Sequence, residues 1–380
     1  MKILHIIIGL NVGGAELMLK RLIESHRKNS GYEHSVVSLT DLGKIGPLLQ
    51  ESGIEVTMLG MRSGLDAPVI LYRLVNIIRI KKPDIVQTWM YHADLLGGLA
   101  ARLCGCRSII WGIRTTDVSA GGSKVTIVIR KLCALLSRVV PSVIICAAEA
   151  SRRSHVAIGY DEERMIVIPN GFDPAVLVAT DEQRAAIRLQ HGIAPDELVV
   201  GSVGRFNPDK DHGSFIRAAG LLAARFSPVK FMLVGRDLDA GNRPLMDLVA
   251  ASGCPERFIL VGERQDIPAC LKAMDIFCLH SRTEGFPNVL GEAMTMGLPC
   301  VATDVGDAGY LLDEAGILVP PLNLLALAGG LEKMIMLSKT ERAELGQKAQ
   351  DRIHSFFTMQ RTSERFAQVY DGLFSGKGAV

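Results

Sequence analysis

A chain of 380 residues, 48% of them hydrophobic and 22% charged, has the length for two domains and the balance of a soluble α/β protein. Its net charge of +2 gives no argument for a nucleic-acid partner, and none is expected; no uninterrupted apolar run approaches the ~20 residues of a membrane-spanning helix. Its 8 cysteines lie in apolar contexts without a CxxC pair, so buried, reduced thiols of a cytoplasmic protein are expected rather than a metal centre.

Short β-branched runs alternate with stretches of helical period from end to end. The opening run, Met1 to Gly9, carries His5 and leads into Gly13-Gly14-Ala15-Glu16 without a cleavage signal; it reads as a buried strand rather than a secretory leader. Further strands are expected over Ser35–Leu39, Glu55–Leu59, Ile85–Thr88, Ser108–Ile113, Val143–Cys146 and Met165–Ile168. Helices such as Glu16–Lys28 and Val69–Lys81 lie between them. Near-continuous apolar strands between helices imply a parallel sheet covered on both faces. Over 124–139 a further helix would gather Lys124, Arg130, Lys131, Ala134, Ser137 and Arg138 on one face, leaving Ile127, Val128, Leu132, Leu135, Leu136 and Val139 to pack. A polar face whose charges are all cationic suits peripheral contact with an anionic membrane; a core helix with a basic edge is the plainer alternative.

The pattern pauses at Pro169-Asn170-Gly171-Phe172-Asp173-Pro174, a turn-rich segment that can be neither helix nor central strand. It restarts with strands over Leu198–Val203, Lys230–Val234, Phe258–Val261, Ile276–Leu279, Pro299–Thr303 and Ile317–Val319. Residues 1–172 and 173–357 are thus read as two Rossmann-like domains, with a last amphipathic helix inside 358–380 crossing back to the first. Ligands of such sheets bind outside the carboxyl ends of the strands.

The richest segment follows the strand ending at Leu279: Ser281-Arg282-Thr283-Glu284-Gly285-Phe286-Pro287-Asn288-Val289-Leu290-Gly291-Glu292. Pro287 suits a first helical turn, and Gly297 with Pro299 a helix stop. The free N–H groups from Asn288 onward form an anion site. Two carboxylates beside it, Glu284 in the loop and Glu292 on the helix, would repel a bare phosphate. They fit a ligand whose phosphates are flanked by hydroxyls, as in a nucleotide-sugar. Upstream, Gly204-Arg205-Phe206-Asn207-Pro208-Asp209-Lys210 places a guanidinium and an ammonium in one short loop after a strand, which suits a diphosphate.

This set, with Gly13-Gly14-Ala15-Glu16 after the first strand, resembles glycosyltransferase family 4 of the bacterial surface-polysaccharide type. Those are retaining enzymes of the GT-B fold, an α/β architecture of two Rossmann-like parallel-sheet domains facing across a cleft, and the likeness covers essentially the whole chain. It implies an acceptor-side N-terminal domain and a C-terminal donor domain. By that resemblance Glu284 binds donor-sugar hydroxyls and Glu292 the ribose. Arg205 and Lys210 stabilise the departing diphosphate with amides of Gly14 and Asn288–Leu290, and Gly13, Gly285 and Phe286 complete the donor motifs. The loop carrying Glu263 and Arg264 borders the nucleobase, and His92 reaches the reacting sugar from the acceptor side. A retaining hexosyltransferase acting on a UDP-sugar, with a glycan or lipid-linked acceptor and no metal or other cofactor, is the expected activity. A nucleotide-sugar epimerase and a non-catalytic nucleotide-sugar-binding protein are the rivals. Gln87, Trp89, Thr115 and Tyr310 depart from the family pattern, which bears on acceptor and sugar identity. Trp89, Met90 and Tyr91 are expected to offer apolar surface beside His92, and the small-residue run from Val118 to Ser123 a loop that covers a substrate. Asp237-Leu238-Asp239 reads as a solvated loop, and Gly9-Leu10-Asn11-Val12-Gly13-Gly14 lacks the spacing of a nicotinamide site.

Overall fold

The computed structural model describes residues 1–29, 31–116, 123–227 and 229–376. Two compact units result: Met1–Gly171 with the chain from Met359 onward, and Phe172–Thr358. The first holds β1 (Lys2–Ile7), β2 (Glu33–Ser38), β3 (Glu55–Met58), β4 (Ile85–Trp89), β5 (Ile109–Ile113), β6 (Val143–Cys146) and β7 (Met165–Val167). The second holds β8 (Leu198–Val203), β9 (Val229–Val234), β10 (Phe258–Gly262), β11 (Ile276–Leu279), β12 (Cys300–Thr303) and β13 (Gly316–Val319). Each set forms one parallel sheet, ordered β3-β2-β1-β4-β5-β6-β7 and β10-β9-β8-β11-β12-β13.

The apolar strands are explained by burial from both sides. In the first sheet Leu4, Ile6, Val86 and Trp111 face the helices Ala67–Lys81, Tyr91–Leu103 and Lys124–Leu136. Ile3, Ile7, Ile85 and Ile110 face the opposite way, onto helices Gly14–Asn29 and Met359–Phe374. Successive residues thus alternate between two cores, as strand geometry requires. The last helix fills the second face with Phe366 and Tyr370, both 0% exposed, and its Thr362 hydroxyl donates to the Pro169 carbonyl. In the second sheet Val200, Phe231, Leu233, Ile276 and Val301 pack with Phe215, Leu245 and Leu331 from helices His212–Ala223, Arg243–Ala251 and Leu324–Met336.

Each sheet has one point where strand order reverses, between β1 and β4 and between β8 and β11. There the connections leave in opposite directions and open a crevice at the strands' carboxyl ends.

Three local expectations are corrected. Pro287 does not open the helix but caps it from outside, with the helix running Asn288–Thr295; Gly297, at φ +71°, ends it as expected. Over 124–139 the expected faces hold only in part, with Lys124, Lys131 and Arg138 exposed as expected. Arg130, Ala134 and Ser137 are buried, while Val128, Leu132, Leu135 and Val139 are exposed. Arg130 and Ser137 go inward because partners wait there: Arg130 donates to the Ser154 carbonyl and Ser137 to that of Ala134. Trp89 and Tyr91, expected at a surface, are core residues at 0% and 2% exposure. The run from 118 to 122 lies outside the described residues. Among the described residues no helix is long and apolar enough to cross a membrane. The cysteines carry no disulfide; six are buried, with Cys104 and Cys106 half-buried.

Candidate active site

In the second unit the reversal point brings the loop after β8 against the loop after β11. The Lys210 ammonium meets Glu284 Oε1 at 2.5 Å, and the Ser281 hydroxyl donates to the same oxygen at 2.6 Å. Both ionic side chains are largely shielded, 23% and 13% exposed. The pairing therefore depends on how the two loops are held. Asn207 caps the single turn Pro208–Lys210 by accepting from the Asp209 N–H. Asp211 follows at φ +51° and caps helix His212–Ala223 through Ser214 N–H. The Arg282 N–H donates to the Asp209 carbonyl at 2.7 Å, tying one loop to the other. His280, at the end of β11, meets the Lys210 carbonyl through Nδ1 at 2.5 Å. Burial draws its pKa down to about 4, so the neutral ring is held in place as a donor. His212 lies edge-on to it, with ring centroids 5.0 Å apart, and burial pulls its own pKa down to about 3.

The other wall of the crevice is the start of helix Asn288–Thr295, which no side chain caps and which has no acidic residue in its first turn. The amides of Leu290 and Gly291 return to the Pro287 carbonyl, so Asn288 and Val289 supply the outermost N–H groups. Leu290 itself is core, at 0% exposure, and the Phe286 ring packs on Phe172 and Phe357. These two positions shape the site through backbone and packing rather than through an exposed side chain. Glu292 stands half-buried on the same helix, and Arg205 is exposed beside the β8 loop. Asp307 N–H donates to the Gly285 carbonyl at 3.0 Å, and Gly306 sits at φ +58° directly behind it. A Cβ at Gly306 would fall 2.3 Å from that carbonyl oxygen, so only glycine fits. Arg264 is engaged by its neighbour: Nε and Nη2 grip Asp266 at 2.7 and 2.6 Å. Asp237 and Asp239 are exposed, and Asp239 accepts from Gly241 N–H in a simple turn.

In the first unit the reversal point gathers the Gly13-Gly14 turn after β1 and the Met90–His92 turn after β4. Gly13 lies so close to Glu16 that a Cβ would sit 2.4 Å from its Oε2. His92 is the second residue of helix Tyr91–Leu103, and burial lowers its pKa, which favours the neutral imidazole. The turn before it is strained: Met90 has φ +74°, rare for a side chain with a Cβ. Asp94 pins that turn from beneath, accepting from the Thr88 hydroxyl at 2.5 Å and from Gly112 N–H at 3.3 Å. The Met90 N–H in turn donates to the Gly112 carbonyl. Arg114 at the end of β5 stacks over the Trp89 ring, 4.6 Å from its centroid, and donates to the Asn170 side chain at 3.0 Å.

Of the residues named from sequence, Gly13, Gly14 and His92 follow the strands at one reversal point and Arg205, Lys210 and Glu284 those at the other, while Arg264 follows β10. The sequence did not mark those that hold these loops, Ser281, His280 and Asp307 in one unit and Asp94, Gly112 and Arg114 in the other. Ser281 was legible as the hydroxyl three residues before Glu284. The rest act through tertiary contacts that no spacing displays. Among the described residues there is no group of three or more His, Cys, Asp or Glu that could hold a metal ion.

Residues 197–336 match the family model for glycosyl transferases group 1, and residues 12–176 that for glycosyltransferase family 4. The putative glycosyltransferase EpsF of Bacillus subtilis is 27% identical, the match covering 95% of this chain and 97% of that protein. The UDP-Gal:alpha-D-GlcNAc-diphosphoundecaprenol alpha-1,3-galactosyltransferase of Escherichia coli is 26% identical over 64% of this chain and 63% of its own length. Among solved structures, Anabaena Alr3699/HepE in complex with UDP-glucose aligns with a TM-score of 0.84 at 25% identity, covering 98% of this chain and 100% of that one.

Proposed function

Since the chain belongs to glycosyltransferase family 4 and has the paired Rossmann-like domains of the GT-B fold, we propose that it moves a hexose from a UDP-sugar to a glycan or lipid-linked acceptor with retention of configuration. The observation that carries this reading is the Lys210–Glu284 contact at the reversal point of the second sheet, beside an uncapped helix start. A cation suits a phosphate, a carboxylate suits hydroxyls, and the amides of a helix's first turn suit a second phosphate. UDP is favoured because the solved neighbours include complexes with UDP and UDP-glucose. A surface-polysaccharide acceptor is favoured by relatives such as the Escherichia coli galactosyltransferase, whose named acceptor is a diphosphoundecaprenol-linked sugar. The cytoplasmic side is where such a donor would be met.

In this scheme the bond between the anomeric carbon and the diphosphate oxygen breaks while the acceptor oxygen bonds to the same face. The acceptor's proton passes to the departing diphosphate. Charge builds on that diphosphate as the bond breaks, so groups that meet it there act on the transition state. Arg205, Lys210 and the N–H groups of Asn288 and Val289 supply that stabilisation. Before donor binds, Glu284 holds Lys210 in position. On binding, Glu284 turns to the sugar hydroxyls and Glu292 to the ribose. Arg264 borders the base with its loop backbone, its guanidinium being committed to Asp266. In the first unit, burial favours the neutral imidazole of His92.

Incubating the protein with UDP-hexoses, with and without a lipid-linked glycan acceptor, tests this directly. Transfer that requires acceptor supports it; UDP release without acceptor, giving an epimerised sugar, would favour the epimerase; binding without turnover would favour a sensor. Replacing Arg205 or Lys210 with Ala is expected to lower kcat by about 100-fold or more. Near-normal turnover in both variants would mean that the donor site has been misplaced.

A further inference from the structure

Helix Lys124–Leu136 and the turn after it carry five apolar side chains that the described residues leave uncovered. Val125, Val128, Leu132, Leu135 and Val139 are between 42% and 77% exposed. They recur at steps of three and four, which on a helix makes one stripe. Lys124, Lys131 and Arg138 are exposed as well, each one residue before a member of the stripe. The three cations therefore form a second row along its flank. No acidic residue occurs from 124 to 148, and among the described residues none of the three cations has an ion-pair partner. The far side of the helix is committed: Arg130, Cys133 and Ala134 are buried, and the Cys133 thiol points to the Tyr91 carbonyl of the neighbouring helix.

We propose that this face docks the protein onto an anionic lipid bilayer, with the helix lying in the interfacial plane. The stripe would sink to the boundary of the acyl region, and the cations would stay at headgroup level on one flank. Charge complementarity selects this occupant over a second copy of the chain. Two copies meeting through this face would bring cation rows together with no carboxylate on either helix to meet them. The docking surface stands on this helix alone and does not depend on the reading of the donor site. It belongs to the unit that carries His92, so it would bring the acceptor-side residues to a lipid surface.

The test is co-sedimentation of the intact protein with phosphatidylglycerol and with phosphatidylcholine vesicles, at low and high salt. Wild type is compared with Lys124→Gln/Lys131→Gln/Arg138→Gln and with Leu132→Ser/Leu135→Ser. These side chains are exposed, so both variants should melt with wild type and bind UDP equally well. Wild type should sediment with phosphatidylglycerol at low salt and be released by high salt. Each cation should contribute about fivefold to partitioning, so the charge variant should lose on the order of 100-fold. The apolar variant should lose about tenfold or more, since its side chains no longer gain by leaving water. Wild type remaining in the supernatant with phosphatidylglycerol would overturn the proposal, as would either variant binding like wild type. A monomer–dimer equilibrium that Leu132→Ser/Leu135→Ser abolishes would assign the stripe to a second copy instead.

Discussion

Asp94 is fully buried under the strained Met90 turn, and burial lifts its pKa to about 7. An aspartate in an unfolded chain titrates near 3.9, so the folded protein binds more protons from about pH 4 to pH 7. The stability that the neutral carboxyl provides is therefore present at acid pH and lost as pH rises through 7. Asp94→Asn keeps an oxygen for Thr88 and Gly112 but carries no charge. Its melting temperature should rise relative to wild type between about pH 5 and pH 8, by the equivalent of a few kcal/mol. A gap that calorimetry finds constant across that range would show that Asp94 does not titrate there. Gly306 makes a second case at this scale. An alanine there faces both a positive φ, at about 1 kcal/mol, and a backbone oxygen 2.3 Å away. Gly306→Ala should displace the Glu284–Gly285 loop and weaken UDP affinity about tenfold or more. Unchanged affinity by titration calorimetry would mean that the loop does not depend on Gly306.

Among the elements, the last helix shows how one amphipathic segment can bring a histidine cluster under pH control. His5 Nε2 lies 2.9 Å from His34 Nδ1, and the His26 and His34 rings stack 5.3 Å apart. Around them Tyr32 donates to Asp371, His26 reaches the Ser363 carbonyl, Tyr370 donates to Gln87 and Trp89 to His5. Burial is the first cause that lowers all three histidines, His34 to about 3. A base with a depressed folded pKa contributes stability above its unfolded value of about 6.5 and loses it as pH falls toward the folded value. Mild acid should therefore loosen the packing between helices Gly14–Asn29 and Met359–Phe374. The chain's 2 tryptophans, Trp89 and Trp111, both lie in the first unit. Their fluorescence thus isolates this event from the unfolding of the second unit. The midpoint should shift to lower pH in His34→Asn, and an unmoved midpoint would place the acid sensitivity elsewhere.

For the whole molecule, the two units are built on one plan with no repeated sequence, and each has its own reversal point. Addition of UDP should slow amide hydrogen exchange over 204–210 and 284–292, where the second unit presents its cations and helix start. No change over either segment of the second unit would count against the site described above.

The alternation of apolar strands with amphipathic helices determined the α/β class, the parallel sheets and the strand positions to within a residue or two. That period is physically enforced, because a strand buried on both faces has no polar positions to spare. The helix stop at Gly297, the loop holding Glu284 and the Arg205–Lys210 pair were equally legible, since turn chemistry and charge are local properties. Tertiary structure alone decided which face of helix Lys124–Leu136 turns inward. The helical period put every polar residue outside. Lys124, Lys131 and Arg138 are there, but Arg130 and Ser137 found carbonyl partners within the fold, and Val128, Leu132, Leu135 and Val139 were left exposed. It also decided that Trp89 and Tyr91 are core and that Arg264 is held by Asp266. Contacts of this kind join residues far apart in the chain, or choose among rotamers of one side chain, and no local pattern encodes either.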